Sequence, residues 1–362
     1  MAEKKILFLV AHRPGRSPGQ RFRFEQYLDH LKANGYQCDI SFLITEADDA
    51  AFYAPGKYLA KARIVMKSIR QRLNDLKVAG SYDLVFIYRE AHMLWFSWFE
   101  RRLYRMGVKM ILDFDDSIWL NDTSDGNRQL AWLKRPSKTA DILRMSSMAL
   151  VGNEYLASYA RRFNPNVHVV PTTINTAYYT PNSKAANDTV CIGWTGSSTT
   201  LKHLHEALPV LRAIRQRYGD KVSFRVISNK PLEADLPGLE NITWQRNTEV
   251  SDLYPIDIGI MPLPNDDWAR GKCGFKGLQY MALEIPTVMS PVGVNTEIIE
   301  DGVNGFLAGY HQEWIEKLSL LIESPALREK LGKAGRQTVV ERYSFESQKD
   351  RYLCLFNSLC ES

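Results

Sequence analysis

The sequence predicts an α/β protein built from two doubly wound parallel sheets in tandem. Three observations carry this expectation. The chain has 362 residues, more than one compact domain ordinarily holds. Short apolar runs alternate with longer helical patterns along its length, as parallel strands joined by crossover helices require. The alternation also restarts after a proline-marked stretch, VVPTTINTAYYTP at 169–181, which reads as linker and loop.

Taken in order, residues 6–10 read as a strand, 21–34 as its helix closed by Gly35, and 38–43 as a second strand. Buried strands are expected at 84–88, 109–113 and 148–152. The second series is expected at 190–194, 223–228, 242–244, 256–261, 287–290 and 305–307. The expected domains are 1–170 and 171–344, with a last helix over 345–360 packing back onto the first. Open parallel sheets bind ligands beyond the carboxyl ends of their strands. The polar and glycine-rich clusters fall at those ends, within 12–23, 88–90, 113–119, 193–202, 262–276 and 290–297.

Composition narrows the classes. With 45% apolar and 24% charged residues the chain has none of the signature of disorder. Cys38, Cys191, Cys273, Cys354 and Cys360 are scattered and never spaced C-x-x-C, so neither a disulfide framework nor a zinc site is expected, and a reducing cytoplasm fits best. The KKILFLVAH run is too short for a signal peptide, and no segment approaches the roughly 20 apolar residues of a membrane span. A net charge of +5 favours anionic partners. Nucleic acid is not expected among them, because the basic residues are interleaved with acids and no recognition motif is present.

Two elbows stand out. Trp194, Thr195, Gly196 and Ser197 lead through Ser198 to Lys202, following a strand and opening a helix; small residues, exposed amides and a cation there are the ingredients of a phosphate site. The second Gly-Lys pair of the classical nucleotide loop is missing, and the competing reading is an ordinary turn with Ser or Thr capping. A parallel elbow stands at Ser290 to Asn295, with Gly293 and Val294 within it. Between the two, GKCGFKGLQYMALEIP at 271–286 has helical spacing from Phe275, preceded by Gly274. Lys272 and Lys276, four apart, are expected on one side near that helix start, where they oppose the helix dipole unless an anion lies between them. Gln279, one turn on, offers a donor and an acceptor suited to sugar hydroxyls.

In the first half, Asp113, Asp115 and Asp116 end a strand. Oxygen ligands of that kind suit magnesium, but capping by one aspartate and a ligand contact by another are equally open. Gln20, Arg21 and Arg23 open the first helix, and guanidiniums there suit phosphate; Arg21 and Arg23 do not share a helix face. His12 ends the first strand and Arg89 the third. Two segments bear on membranes. Residues 57–77 place Val65, Ile69, Leu73 and Leu76 on one face with cations around it, and 94–105 mix Trp95, Phe96, Trp98 and Phe99 with Arg101, Arg102 and Arg105. Each reads either as an interfacial helix on an anionic membrane or as a crossover helix packed on its sheet.

With these residues in view, the chain resembles the retaining, nucleotide-sugar-dependent glycosyltransferases of family 4. Those enzymes have the GT-B fold, two Rossmann-like domains with parallel sheets facing across a cleft. VVPTTINTAYYTP, KGLQYMALEIPTVMSPVG and EIIEDGVNGFLA resemble the family's interdomain segment and its two C-terminal stretches; ILDFDDSIW and GQRFRFEQYL resemble N-terminal segments of a bacterial subgroup. The resemblance implies sugar transfer from a nucleoside-diphosphate donor to a glycan or lipid-linked acceptor hydroxyl, with no cofactor and no required metal. Polysaccharide or glycolipid assembly, at the inner face of the cell membrane, is the implied setting.

The resemblance also implies roles. Lys202 occupies the basic position of the first elbow. The family's usual Arg falls on Trp194, so Lys272 or Lys276 is expected to substitute. Of the family's paired glutamates, the second matches Gln279 and the first falls on Gly271, leaving Asp266, Asp267 or the amides from Cys273 to Phe275 to hold the sugar. Lys202, Lys276 and Asp116 are placed nearest the reaction; Trp194, Gly196, Ser197, Lys272, Gly274, Phe275, Gln279, Gly293, Val294 and Asn295 on the donor; and His12, Gln20, Arg21, Arg89 and Asp115 on the acceptor side. Loss of charge at Gly271 and Trp194 motivates the alternative of a non-catalytic partner of the same fold. A nicotinamide dehydrogenase fits less well, because AHRPGRSPGQ stands where G-x-G-x-x-G would follow the first strand.

Overall fold

A computed structural model describes residues 3–120, 135, 137–182 and 188–361. The chain divides into two compact units, Met1–Thr172 with Gln348–Ser362, and Thr173–Ser347.

The first unit begins with β1 (Lys4–His12), α1 (Pro18–Arg23), α2 (Leu28–Ala33) and β2 (Tyr36–Ile44). It continues through α3 (Glu46–Tyr53), α4 (Tyr58–Val78), β3 (Leu84–Tyr88), α5 (Trp98–Arg105) and β4 (Met110–Phe114). It closes with α6 (Ser137–Met145), β5 (Met148–Val151), α7 (Glu154–Ala160) and β6 (Val167–Val169). The sheet order is β2-β1-β3-β4-β5-β6, and every pairing is parallel. Ile6 to Val10, Leu84 to Tyr88 and Met110 to Phe114 are buried along their whole length, as parallel strands covered on both faces should be. Order reverses between β1 and β3, so that edge is the unit's topological switch point.

Two local readings are corrected here. The expected helix over 21–34 is broken at Phe24, whose backbone (φ −135°, ψ −33°) leaves the helical region. The break delivers its ring to the core, 5.2 Å from Phe8 and 5.4 Å from Phe86 between centroids. In α4, the face turned inward is Lys61, Ile64, Ser68, Arg72 and Asp75, not the apolar row expected. Arg72 donates to the carbonyls of Val10 and Ala91 and to Asp75, so hydrogen bonds hold this face where apolar packing was expected.

The last helix of the chain, over Phe345–Glu361, adds Tyr352 and Phe356 to this unit's aromatic core. Tyr352 stacks on Tyr27 at 4.2 Å, Phe356 lies 6.0 Å from Phe86, and Asn357 accepts from the Tyr36 hydroxyl at 2.6 Å. Fully burying a ring of this size is worth about 1.5–3 kcal/mol, so this helix is part of the unit's stability.

The second unit runs β7 (Val190–Thr195), α8 (Leu201–Tyr218), β8 (Val222–Ser228), β9 (Leu239–Thr243) and β10 (Ile258–Met261). Then follow α9 (Asp267–Arg270), α10 (Phe275–Ala282), β11 (Thr287–Met289), α11 (Asn295–Ile298), β12 (Phe306–Leu307), α12 (His311–Glu323) and α13 (Pro325–Thr338). Its order is β12-β11-β10-β7-β8-β9, again all parallel. The switch point lies between β7 and β10. Its core gathers Ile192, Trp194, Leu204, Phe224, Ile258, Val288, Trp314 and Leu318 under α8 and α12. The strand read at 242–244 begins three residues earlier, at Leu239, where it pairs with Phe224 of β8.

Candidate active site

In the second unit the predicted donor residues gather at the switch point. Trp194 is the penultimate residue of β7 and is 2% exposed. The following Thr195 amide donates to the Tyr280 hydroxyl of α10 at 2.8 Å, tying the end of β7 to that helix. Lys276, in the first turn of α10, extends its ammonium over the Trp194 indole, 5.6 Å from the ring centroid. A Cβ at Gly196 would lie 2.8 Å from Lys276 Cε and 2.5 Å from the indole, so only glycine leaves room for that lysine's stem.

The first elbow is a single 3₁₀ turn, Ser198–Thr200, leading into α8. Ser197 Oγ pairs with Thr199 Oγ1 at 2.8 Å, and Asn229 Oδ1 accepts from the Ser198 amide at 2.7 Å. Thr200, at the helix N-cap, makes no side-chain cap bond, so the capping expected of an ordinary turn is absent at this position. Lys202 is exposed on the first turn of α8.

Gly274 caps α10 in the left-handed conformation (φ 68°), again with no side-chain cap. It ends the preceding turn, so Lys272 lies outside the helix and rests on Trp268, 4.8 Å from its ring centroid. The expected pairing of Lys272 with Lys276 on one helix side is thus corrected: a left-handed glycine separates them. Phe275 opens the helix. The second elbow approaches from the other side. Gly293 (φ 55°) packs so closely that a Cβ would lie 2.6 Å from the Arg270 carbonyl oxygen. Val294 and Asn295 lead into α11, where Asn295 donates through Nδ2 to the Ser290 carbonyl at 3.0 Å. Its buried Oδ1 has no hydrogen-bond partner among the described residues.

Gln279 is 6% exposed and donates to the Tyr179 hydroxyl at 2.8 Å, which leaves its Oε1 for other contacts. Asp266 caps α9 by accepting from the Ala269 amide at 2.7 Å, and Asp267 is paired with Arg270. Neither carboxylate is idle.

The predicted residues of the first unit collect at its own switch point, but with a different division of labour. Gln20 is fully buried and exchanges hydrogen bonds with the backbone of His12 at 3.0 and 2.9 Å, locking the exit from β1. Arg23 turns into the core, where it clasps Asp113 at 3.0 and 2.6 Å and donates to the Val170 carbonyl. Arg21 lies against Phe22 instead. Arg89 holds a left-handed backbone (φ 65°), unusual for a branched-chain-free but bulky residue, and bonds Asp115 at 2.8 Å and Asp116 at 2.5 Å. Burial pushes the Asp115 carboxyl up, but Arg89, Arg23 and the Tyr88 hydroxyl outweigh it and hold Asp115 below its ordinary value.

His12 contacts the Tyr53 hydroxyl through Nε2 at 3.1 Å, and burial, aided by Arg16, lowers its pKa to about 4. Sequence reading overlooked the neighbouring Arg13 and Arg16, which share Asp49 at 2.9 and 2.5 Å. The RPGR run right after β1 was the available signal.

This arrangement can bind a diphosphate in the second unit: α8 and α10, which follow β7 and β10, begin without side-chain caps and carry Lys202 and Lys276 in their first turns. Comparison with known proteins bears on the same segment. Residues 188–324 match the family of group 1 glycosyl transferases. The alpha-maltose-1-phosphate synthase of Mycobacterium tuberculosis is 30% identical over 95 residues, 24% of this chain and 24% of that protein. The chain thus spans about a quarter of the length of that curated relative. Over nearly whole chains, the structure is similar to sucrose-phosphate synthase from Thermosynechococcus elongatus (TM-score 0.72, 13% identity, 98% and 99% covered). It is similar also to Anabaena Alr3699/HepE, solved in complex with UDP-glucose (TM-score 0.68, 13% identity, 98% and 99% covered). The fold is that of GT-B glycosyltransferases.

Proposed function

We propose that the protein is a retaining glycosyltransferase that moves a sugar from a nucleoside diphosphate to an acceptor hydroxyl. The observation that carries this reading is Lys276 over Trp194, beside Gly196, at the β7/β10 switch point. Where the family resemblance leads one to expect a guanidinium from β7, a lysine from α10 supplies the cation over the indole that replaced it. Departure of the diphosphate is the costly step, and preorganised positive charge lowers it most. Lys276, Lys202 and the amides at Gly293 to Asn295 stabilise the developing charge; a departing phosphate oxygen takes the acceptor proton. With helix ends and cations in that role, no metal is required. Asp116, nearest the reaction, and Asp115 on the acceptor side are both oriented by Arg89; His12 and Arg21 join the acceptor side, where a glycan or lipid-linked hydroxyl is the proposed partner, while the expected acceptor contact of Gln20 is replaced by its bonds to the His12 backbone.

A thermal-shift panel of nucleoside diphosphates and their sugars tests this, with uridine diphosphate compounds first because Alr3699/HepE was solved with UDP-glucose. One nucleotide-sugar series is expected to raise Tm, by mass action on the folded state. No shift from any of them would favour the non-catalytic partner instead.

We also propose that the first unit rests on an anionic lipid surface. Outward on α4 stand Leu59 (84% exposed) and Met66 (71% exposed) beside Arg63 and Arg70, and α5 with its preceding loop exposes Trp95, Trp98 and Tyr104 beside Arg101, Arg102 and Arg105. Apolar side chains interleaved with cations suit an interface of acyl chains and acidic headgroups. Among the described residues no helix is long and apolar enough to cross a membrane. Co-sedimentation with phosphatidylglycerol vesicles is expected at low salt and reversed at high salt; absence from the vesicle pellet at low salt would end the idea.

A further inference from the structure

His203 is the third residue of α8, next to Lys202, and was not among the residues the sequence singled out. It is 3% exposed, and neither of its ring nitrogens has a hydrogen-bond partner among the described residues. Buried imidazoles ordinarily spend at least one nitrogen on a neighbour, since a polar group taken from water without compensation is costly. The charges that act on it come from three elements: Lys276 on α10 most strongly, then Lys202 on α8, then Lys272 in the turn before α10, with Asp266 opposing them. The ring stands in the first turn of α8, directly after the Ser198–Thr200 elbow and beside Lys202, at the β7 end of the proposed diphosphate site.

We propose that His203 is a further donor-binding residue of that site, giving a ring N–H to an oxygen of the bound diphosphate. This rests on the nucleotide-sugar reading above. Burial, and then the three lysines, lower the imidazole pKa to about 4 in the unliganded protein, so at neutral pH it is uncharged. An anion among the lysines offsets their field and favours the imidazolium. Binding then takes up a proton, and affinity rises as pH falls from neutrality towards the pKa of the free protein, below which both states are protonated and the gain stops. The family resemblance assigned nothing to this position. The structure assigns it a second, titratable contact alongside the Lys276 ammonium.

Isothermal titration with UDP-glucose tests it, since the esterified diphosphate does not itself titrate near neutrality. Heats are compared at two pH values, in buffers of different ionisation enthalpy, so that proton uptake is read directly. Wild type is expected to take up protons and to bind several-fold more tightly at the lower pH. His203→Leu should weaken binding about tenfold, the loss expected for one hydrogen bond to a charged group. His203→Gln keeps an N–H donor without a titration, so it should retain most of the affinity while losing proton uptake. The unliganded Tm of each variant reports its folding separately. If His203→Leu binds as wild type with the same proton uptake, the residue is packing only and the inference falls while the donor reading stands. If wild type binds neither this probe nor any member of the nucleotide panel, both fall, and an effect of Lys276→Ala without one of His203→Leu separates the two.

Discussion

Replacing Lys276 by alanine is expected to lower kcat/KM for the nucleotide-sugar by about 100-fold or more, with most of the loss in kcat. The reason lies in where the charge develops. In the proposed transfer, negative charge grows on the leaving diphosphate as the bond to the sugar breaks, so a fixed cation there stabilises the transition state more than the ground state. The Lys276 ammonium is held in place by the Trp194 indole at 5.6 Å and by the space that Gly196 leaves for its stem. Lys276→Arg keeps the charge but needs more room between Gly196 and the indole, so partial activity is expected. The variant's thermal shift with nucleotide should shrink while its unliganded Tm stays near wild type, because the side chain is not buried in the core. An alanine variant with unchanged kcat/KM would remove Lys276 from the mechanism.

The second large effect is on stability. Arg23→Ala is expected to destabilise the first unit by about 3–5 kcal/mol at neutral pH, the usual cost of leaving one half of a buried ion pair. Both side chains are 0% exposed, and Asp113 accepts two of the guanidinium's bonds while the Val170 carbonyl accepts a third. Burial already pushes the Asp113 carboxyl up, and Arg23 is the main group that opposes this. Without Arg23 the carboxyl is driven further towards its protonated form, so the deficit should be greatest at high pH and shrink as pH falls and Asp113 takes a proton. Urea unfolding of wild type and variant across that range measures it. Equal midpoints at neutral pH would show that the pair carries no such load.

Much of the fold was legible because parallel strands buried on both faces are continuous apolar runs, and the crossover helices between them have another period. Residues 6–10, 84–88 and 287–290 could be read without knowing their neighbours. So could the place of the candidate site, since the rule that ligands sit beyond strand ends needs only the strands. What could not be read were partners distant in sequence. Lys61, Ser68, Arg72 and Asp75 turn inward on α4 because the Val10 and Ala91 carbonyls await Arg72 there, 62 and 19 residues away. Gln279 spends its amide on Tyr179, 100 residues upstream. Helical spacing joined Lys272 to Lys276, but a left-handed Gly274 parts them and sends each to a different tryptophan.

The sequence by itself therefore determined the class of the fold, the order of its elements and the glycine-rich elbows that follow β7 and β11. These follow from local periodicity and from residues with few conformational choices. Only the tertiary structure decided which cation meets the Trp194 indole, which arginine is a core residue, and that the ring nitrogens of His203 are buried with no partner among the described residues. Each of those depends on electrostatics and packing between segments that only the folded sheet brings together.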